Sequence, residues 1–284
     1  MFRNSSLGLG ISDGSIKLVE LLKTGNGLRL GRFEERKIPS GVIEAGKIKE
    51  AAKMKEILSS VKKKSVHLSL PGELLNKEEE IVKEYISIFK NSMISTKSIL
   101  LKAEAILKAV IKKGDPGTYM IVDFGKKHTG IFVVSHGTVI YSSVMEFGGE
   151  KLTEMLRKNF GMSFEEVEKI KRQYGFRRDA SNVKMHGIFS NFFSTLEEEI
   201  KRHLVRWHLH KNGSLSPIKK IILCGEEASI KGLAEYLSVG LRSKVELLNV
   251  WTNILDTEKN IPEMSLEESF KFAPALGAAL KGFG

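Results

Sequence analysis

The sequence predicts an α/β chain of two related lobes. Three observations predict it. A run of three strands, then helix and strand, occurs twice; the breaker cluster Lys113-Gly114-Asp115-Pro116-Gly117 separates the two occurrences; and the apolar periodicity switches between two and 3.6. A repeated α/β module of this kind predicts lobes that face each other across a cleft, with ligands at the strand ends that line it.

In the first module, Leu7 to Ser12 and Ile16 to Leu22 read as strands joined at Asp13-Gly14, a pair suited to a tight turn with positive φ angles. A third strand follows Gly25-Asn26-Gly27, around Leu28 to Arg36. A helix is expected over Lys47 to Val61, a strand over Ser65 to Leu70 ending at Pro71-Gly72, and helices near Glu78 to Lys90 and Ala103 to Lys112.

The second module repeats the order. Tyr119 to Phe124, Gly130 to Ser135 and Val139 to Glu146 read as strands. A helix then presents Leu152, Met155, Leu156 and Phe160 on one face. Ser163-Phe164-Glu165-Glu166 has the pattern of a capping box and opens a helix that stops near Gly175. A long helix from His186 to His210 carries the stripe Phe192, Leu196, Ile200, Leu204 and Trp207. The strand Ile218 to Cys224, a helix with Ile230, Leu233, Leu237 and Leu241, a strand Val245 to Asn249 and an apolar helix from Ser265 to Lys281 complete the chain.

At 284 residues the chain is long enough to bury a large core, and 42% hydrophobic with 28% charged residues is ordinary for a folded protein. The net charge of +11 is not ordinary; it favours an acidic partner or an anionic surface. It is spread along the chain, with short runs at Lys62-Lys63-Lys64 and Arg177-Arg178. A single cysteine, Cys224, excludes an internal disulfide and fits a reducing compartment. With no signal-peptide pattern and no apolar run of membrane-spanning length, the expected location is the cytoplasm, with membrane contact only peripheral.

Several segments together carry a resemblance. Residues 8–21 (Gly-Leu-Gly-Ile-Ser-Asp-Gly-Ser-Ile-Lys-Leu-Val-Glu-Leu), residues 121–154 (Ile-Val-Asp-Phe-Gly, Thr129, then Phe-Gly-Gly-Glu-Lys-Leu-Thr-Glu), Ser163 to Lys171, residues 221–233 and the helix with Ala275-Leu276-Gly277-Ala278-Ala279 stand in the order of one family. They resemble the type IV pilus assembly protein PilM, of the actin-like superfamily, over nearly the whole chain. The resemblance implies an actin-like, ribonuclease H-like duplicated two-lobe fold: an N-terminal lobe over 1–114, a C-terminal lobe over 115–264 with a helical subdomain at about 161–215, and a helix over 265–284 returning to the first lobe. It also implies ATP and magnesium between the lobes. Ser12, Asp13 and Gly14 in the first hairpin and Asp123, Gly125 and Thr129 in the second would clamp the phosphates, and Asp123 would hold magnesium through water. Glu168 and Lys171, three apart on one helix face, would grip the ribose and base, and Gly225 would pass beneath the adenosine. The implied partner is the short cytoplasmic tail of an inner-membrane protein resembling PilN, captured as an extended peptide. The alternative is a nucleotide-binding actin-like ATPase or a membrane-associated filament former of the FtsA kind, with self-association; nucleic acid is not expected.

The chain departs from that family pattern in three places. The first hairpin of the family reads Asp-x-Gly where this chain has Gly10-Ile11-Ser12, so the metal-facing acid is missing at Gly10. Glu226 and Glu227 replace small residues after Gly225. One carboxylate about 6 Å from a phosphate, at an effective dielectric near 20, opposes binding by roughly 3 kcal/mol, about a hundredfold, unless Lys126, Lys127 or Lys231 neutralises it. Nucleotide affinity is therefore expected to be weakened or lost, and ATP hydrolysis absent. Finally, the subdomain that the family inserts near 66–78 is reduced to a few residues. The histidines His203, His208 and His210 lack ligand spacing and read as a basic helix face around Trp207.

Overall fold

Leu7, Leu9 and Ile11 alternate with Gly8 and Gly10, and this run forms the strand β1 (Ser5–Ile11) of a computed structural model that describes residues 5–61, 65–76, 78–173, 175–176, 183–209, 216–254 and 262–284. Lys62 to Lys64, Arg177-Arg178, His210 and Lys211 lie outside the described residues. The described chain divides into two compact units, one of residues 5–115, 137–139 and 249–284, the other of 116–136 and 140–248.

In the first unit β1 pairs antiparallel with β2 (Ser15–Thr24), and β2 with β3 (Gly27–Lys37). The strand β6 (Ser65–Ser69) lies parallel to β1, and β7 (Ser95–Leu100) parallel to β6, giving the order β3-β2-β1-β6-β7. Between β3 and β6 the chain makes a small antiparallel pair, β4 (Ile43–Glu44) and β5 (Lys47–Ile48), turning at Ala45 and Gly46 with φ of 48° and 75°. Two left-handed residues in a two-residue turn match the right-handed twist of a hairpin. The helix expected from Lys47 therefore begins later, as α1 (Ala51–Ser59).

The helix α2 (Glu79–Asn91) follows β6 after nine connecting residues and buries Ile81, Tyr85, Ile88 and Phe89. The helix α3 (Lys102–Val110) follows β7. The last helix, α8 (Leu266–Leu280), lies across β1 so closely that a Cβ on Gly8 would fall 2.0 Å from the Ala275 carbonyl oxygen. Only glycine allows that approach. Its N-terminus is capped by Ser265, whose Oγ accepts the Glu268 N–H at 3.1 Å.

The second unit repeats the topology. Its sheet runs β10 (Thr138–Met145), β9 (Thr129–Ser135), β8 (Thr118–Phe124), β11 (Lys220–Cys224), β12 (Val245–Leu247), the same third-second-first-fourth-fifth order of its own strands. All seven residues of β8 are buried, as a strand covered on both faces requires. Helices α4 (Gly149–Phe160), α5 (Phe164–Gln173), α6 (Val183–Leu209) and α7 (Leu233–Leu241) complete the unit. The capping box at α5 is reciprocal: Ser163 N–H donates to the Glu166 carboxylate at 2.8 Å, and Glu166 N–H to Ser163 Oγ at 3.3 Å. A cluster of Phe124, Phe147, Phe176, Phe192, Phe193 and Tyr236 fills the space between sheet and helices.

Two expectations about side chains need correction. His203 is not on an open basic face. It is buried, and its Nδ1 lies 2.7 Å from the Tyr141 hydroxyl of β10. Leu204, expected in the core stripe, is half-buried, because His203 takes the inward position one residue earlier.

Candidate functional site

The first hairpin closes without the turn that Asp13-Gly14 suggests. Neither residue has a positive φ; Ser12 N–H donates to the Ser15 carbonyl at 2.9 Å, and the Ser12 and Ser15 hydroxyls lie 3.3 Å apart. Asp13 turns its carboxylate to the β4–β5 turn, where Oδ1 accepts the Gly46 N–H at 3.3 Å. The Gly46 carbonyl in turn accepts from the buried Tyr85 hydroxyl at 2.9 Å. Asp13 thus fastens the hairpin tip to α2 through one peptide unit. Gly14 has open space where a Cβ would be, and its carbonyl accepts the Ile38 N–H.

Gly10 is set differently. A Cβ there would point at α8, 3.2 Å from Ala275 N and 3.3 Å from Pro274 Cβ. Sequence reasoning passed over Lys17, which is 6% exposed; its Nζ donates to Ser15 Oγ at 2.7 Å and lies 3.3 Å from Glu35. Its alternation with Ile16 and Leu18 reads as an outward-facing strand residue, which hid it.

In the second unit most of the residues singled out converge. Asp123 is the penultimate residue of β8, 5% exposed, with Oδ1 4.0 Å from the buried Cys224 Sγ. Gly225, at φ 96°, turns so tightly that a Cβ would lie 2.8 Å from the same oxygen. Gly125 accepts the Gly149 N–H at 3.0 Å, which ties the second hairpin to the start of α4. Thr129 is the exception. It is fully buried, and its hydroxyl donates to the Phe147 carbonyl at 2.5 Å.

Lys171 on α5 is 2% exposed. Its ammonium lies 2.8 Å from Glu168 Oε1, 2.8 Å from Glu227 Oε2, 3.1 Å from Thr153 Oγ1 and 3.3 Å from the Gly149 carbonyl. An ammonium has three N–H donors, and four acceptors already surround it. Thr153 also donates to Glu168 at 2.8 Å. Room for the Glu227 carboxylate comes from Gly149, where a Cβ would stand 2.2 Å from Glu227 Cδ. The counter-ion of Glu227 is therefore Lys171, not Lys126, Lys127 or Lys231. Lys126 pairs instead with Glu226, at 3.5 Å.

The electrostatics follow the burial. Burial pushes the Glu227 carboxyl above the usual carboxylate range even with Lys171 beside it. Burial acts the same way on Glu168, but the charge and hydrogen bond of Lys171 outweigh it and hold that carboxyl low. Lys126 is desolvated too, yet Glu226, Glu168 and Glu227 keep its pKa above the ordinary lysine value. Three carboxylates and two ammonium groups thus form one cluster. Glu227 was noted in the sequence only as an added charge; its partner lies 56 positions earlier, and no local spacing links the two. Among the described residues no group of three or more His, Cys, Asp or Glu is arranged to hold a metal ion.

Comparison with solved structures gives the fold its class. The chain is similar to a chain of a PilM-PilN type IV pilus biogenesis complex, with a TM-score of 0.76, 20% identity and 98% of each chain covered. It is similar to the ethanolamine utilization protein EutJ from Carboxydothermus hydrogenoformans (TM-score 0.69, 15% identity, 97% of this chain and 89% of that one). It also matches MreB5 of Spiroplasma citri bound to ADP (TM-score 0.67, 12% identity, 98% and 94%). The fold is actin-like. Residues 90–283, about two thirds of the chain, match the family described as type IV pilus assembly protein PilM. On that match, with two sheets of one topology beneath it, the chain belongs to the PilM family of type IV pilus assembly proteins.

Proposed function

We propose that this chain is a docking scaffold of a type IV pilus or related secretion assembly, and that it works without hydrolysing ATP. Its partner is the cytoplasmic tail of an inner-membrane protein of the PilN kind, the protein named with PilM in the complex that shares its fold. The scaffold itself is cytoplasmic and reaches the membrane face through that partner. Among the described residues no helix is long and apolar enough to cross a membrane.

The observation that carries the non-catalytic part is the buried Lys171–Glu227 pair. An ammonium satisfied by four protein acceptors has no donor to offer a ribose hydroxyl or a base. Magnesium-bound triphosphate also needs several oxygen ligands. Here the first hairpin has Gly10 in place of an acid, and Asp13 is held by Gly46. The residues present do not suit a magnesium nucleotide, so ATP and magnesium affinity is weak or lost.

The second reading is a nucleotide-driven ATPase or filament former of the same fold. The glycine turns at Gly125 and Gly225 around Asp123 favour it, as does ADP in the MreB5 structure.

Two titrations on the purified chain decide. Binding of the tail peptide of the membrane protein encoded beside it, measured by fluorescence anisotropy at micromolar concentrations, supports the scaffold, and absence of binding there removes it. Magnesium-dependent binding of a fluorescent ATP analogue with comparable strength would establish the second reading instead.

A further inference from the structure

The solvent face of α6 changes character near its end. From Ile200 to Leu209 the sequence holds Lys201, Arg202 and Arg206 with His203 and His208, and no acid. Ile200, His203 and Trp207 face the core. Val205 and Leu209 are 56% and 73% exposed. At about 100° per residue they lie about 40° apart around the axis, each about 160° from Trp207. They therefore form the crest of the outer face. Lys201 and His208 flank that crest on one side, Arg202 and Arg206 on the other, all exposed and within about 80° of its centre. The acidic run Glu197-Glu198-Glu199 lies further back along the helix, with Glu198 about 10 Å from Val205.

We infer that these last turns of α6 rest directly on an anionic membrane surface. An aliphatic ridge between two rows of cations matches the boundary of such a bilayer, where apolar side chains enter the headgroup layer and cations meet phosphates. Lys201 and Arg202 do pair with Glu197 and Glu199, but at exposed sites such pairs contribute little and exchange readily for lipid phosphate. Cations at a helix C-terminus also complement the helix dipole, which accounts for Arg206 and His208 but not for two bare aliphatics between them. Nucleic acid fits less well. It rewards cations and stacking aromatics, and Trp207, the aromatic residue of these turns, is buried. This contact belongs to the second unit alone and does not depend on capture of a membrane-protein tail.

The test is flotation of the full chain with vesicles of phosphatidylglycerol and phosphatidylcholine against vesicles of phosphatidylcholine alone. The wild-type chain floats with the anionic vesicles, not with the neutral ones, and salt releases it. Arg202→Gln with Arg206→Gln lowers the partition on the order of tenfold. Val205→Ser with Leu209→Ser lowers it too, and leaves what remains more easily released by salt. All four side chains are exposed, so the melting temperatures of both variants stay within a few degrees of the wild-type value, and tail-peptide binding in solution is unchanged. No flotation of the wild-type chain, equal flotation with both vesicle types, or full flotation of both variants overturns the inference. So does binding of a DNA or RNA oligonucleotide through the same arginines with vesicles ignored.

Discussion

Lys171 and Glu227 meet at 2.8 Å with side chains 2% and 6% exposed, so an ammonium and a carboxylate are buried against each other inside the second unit. Removing one member of such a pair costs more than the pair itself contributes, because the survivor remains buried without its counter-charge. Lys171→Met leaves Glu227 and Glu168 facing each other and is expected to lose about 3–5 kcal/mol in urea unfolding. Since burial already favours the neutral form of Glu227, the deficit should shrink as pH falls towards 5. Adding Glu227→Gln should restore part of it. A double variant no better than the sum of its singles would show that the two side chains are not coupled.

Glu226→Gly with Glu227→Gly should raise affinity for an ATP analogue by about tenfold, less than the hundredfold of a lone carboxylate, because Lys126 and Lys171 already offset these two charges. Stability should fall at the same time, because Lys171 then keeps only Glu168 as its counter-ion. Isothermal titration with and without magnesium checks the first effect. Unchanged affinity would mean that more than this cluster separates the chain from nucleotide.

The sequence carried the architecture because β8, β9 and β11 of the second unit hold continuous apolar runs and the glycines mark its turns. It missed β4, β5 and β7 for physical reasons. Ile43–Glu44 and Lys47–Ile48 are too short to show a period, and Ser95–Leu100 is a polar edge strand whose Ser, Thr and Lys resemble a loop. The site was legible one residue at a time. Asp123, Gly125, Glu168, Lys171 and Gly225 could be named, and the Glu168–Lys171 spacing placed both on one helix face. That Glu227 turns inward to Lys171 depends on room left by Gly149, and that is a fact of packing. Asp13 is similar; its partner Gly46 sits in a hairpin that the pattern did not show.

Gly8 and Gly10 differ in what a side chain would meet, and that difference can be measured. Gly8→Ala drives a methyl into the Ala275 backbone, so α8 must shift off β1. The expected loss is about 3 kcal/mol or more, above the usual range for overpacking. Gly10→Ala meets Ala275 N at 3.2 Å and Pro274 Cβ at 3.3 Å, a crowding that a few tenths of an ångström relieve, and should cost about 1 kcal/mol. Gly10→Asp adds a desolvated carboxylate on that side and should destabilise more than Gly10→Ala without gaining magnesium affinity. Chemical denaturation of the three variants orders them; a neutral Gly8→Ala would mean that α8 does not press on β1.

His203 gives the chain a specific weakness to acid. Burial lowers its pKa below the ordinary 6.5, and the neighbouring charges of Arg206 and Arg202 lower it further while Glu199 opposes them. Its Nδ1 shares a hydrogen bond with Tyr141, across from α6 to β10. As pH falls through about 6.5 the unfolded chain binds this proton first, so the stability held by neutral His203 is present above that pH and is lost below it. His67, lowered by burial and by Lys281 and Lys97, adds a loss of the same sign. Melting temperature should therefore drop between pH 7 and pH 5.5. His203→Gln keeps a side chain able to bond Tyr141 but removes the titration, so its melting temperature should be lower at pH 7 and change less over that interval. An acid response equal to that of the wild-type chain would show that His203 does not carry it.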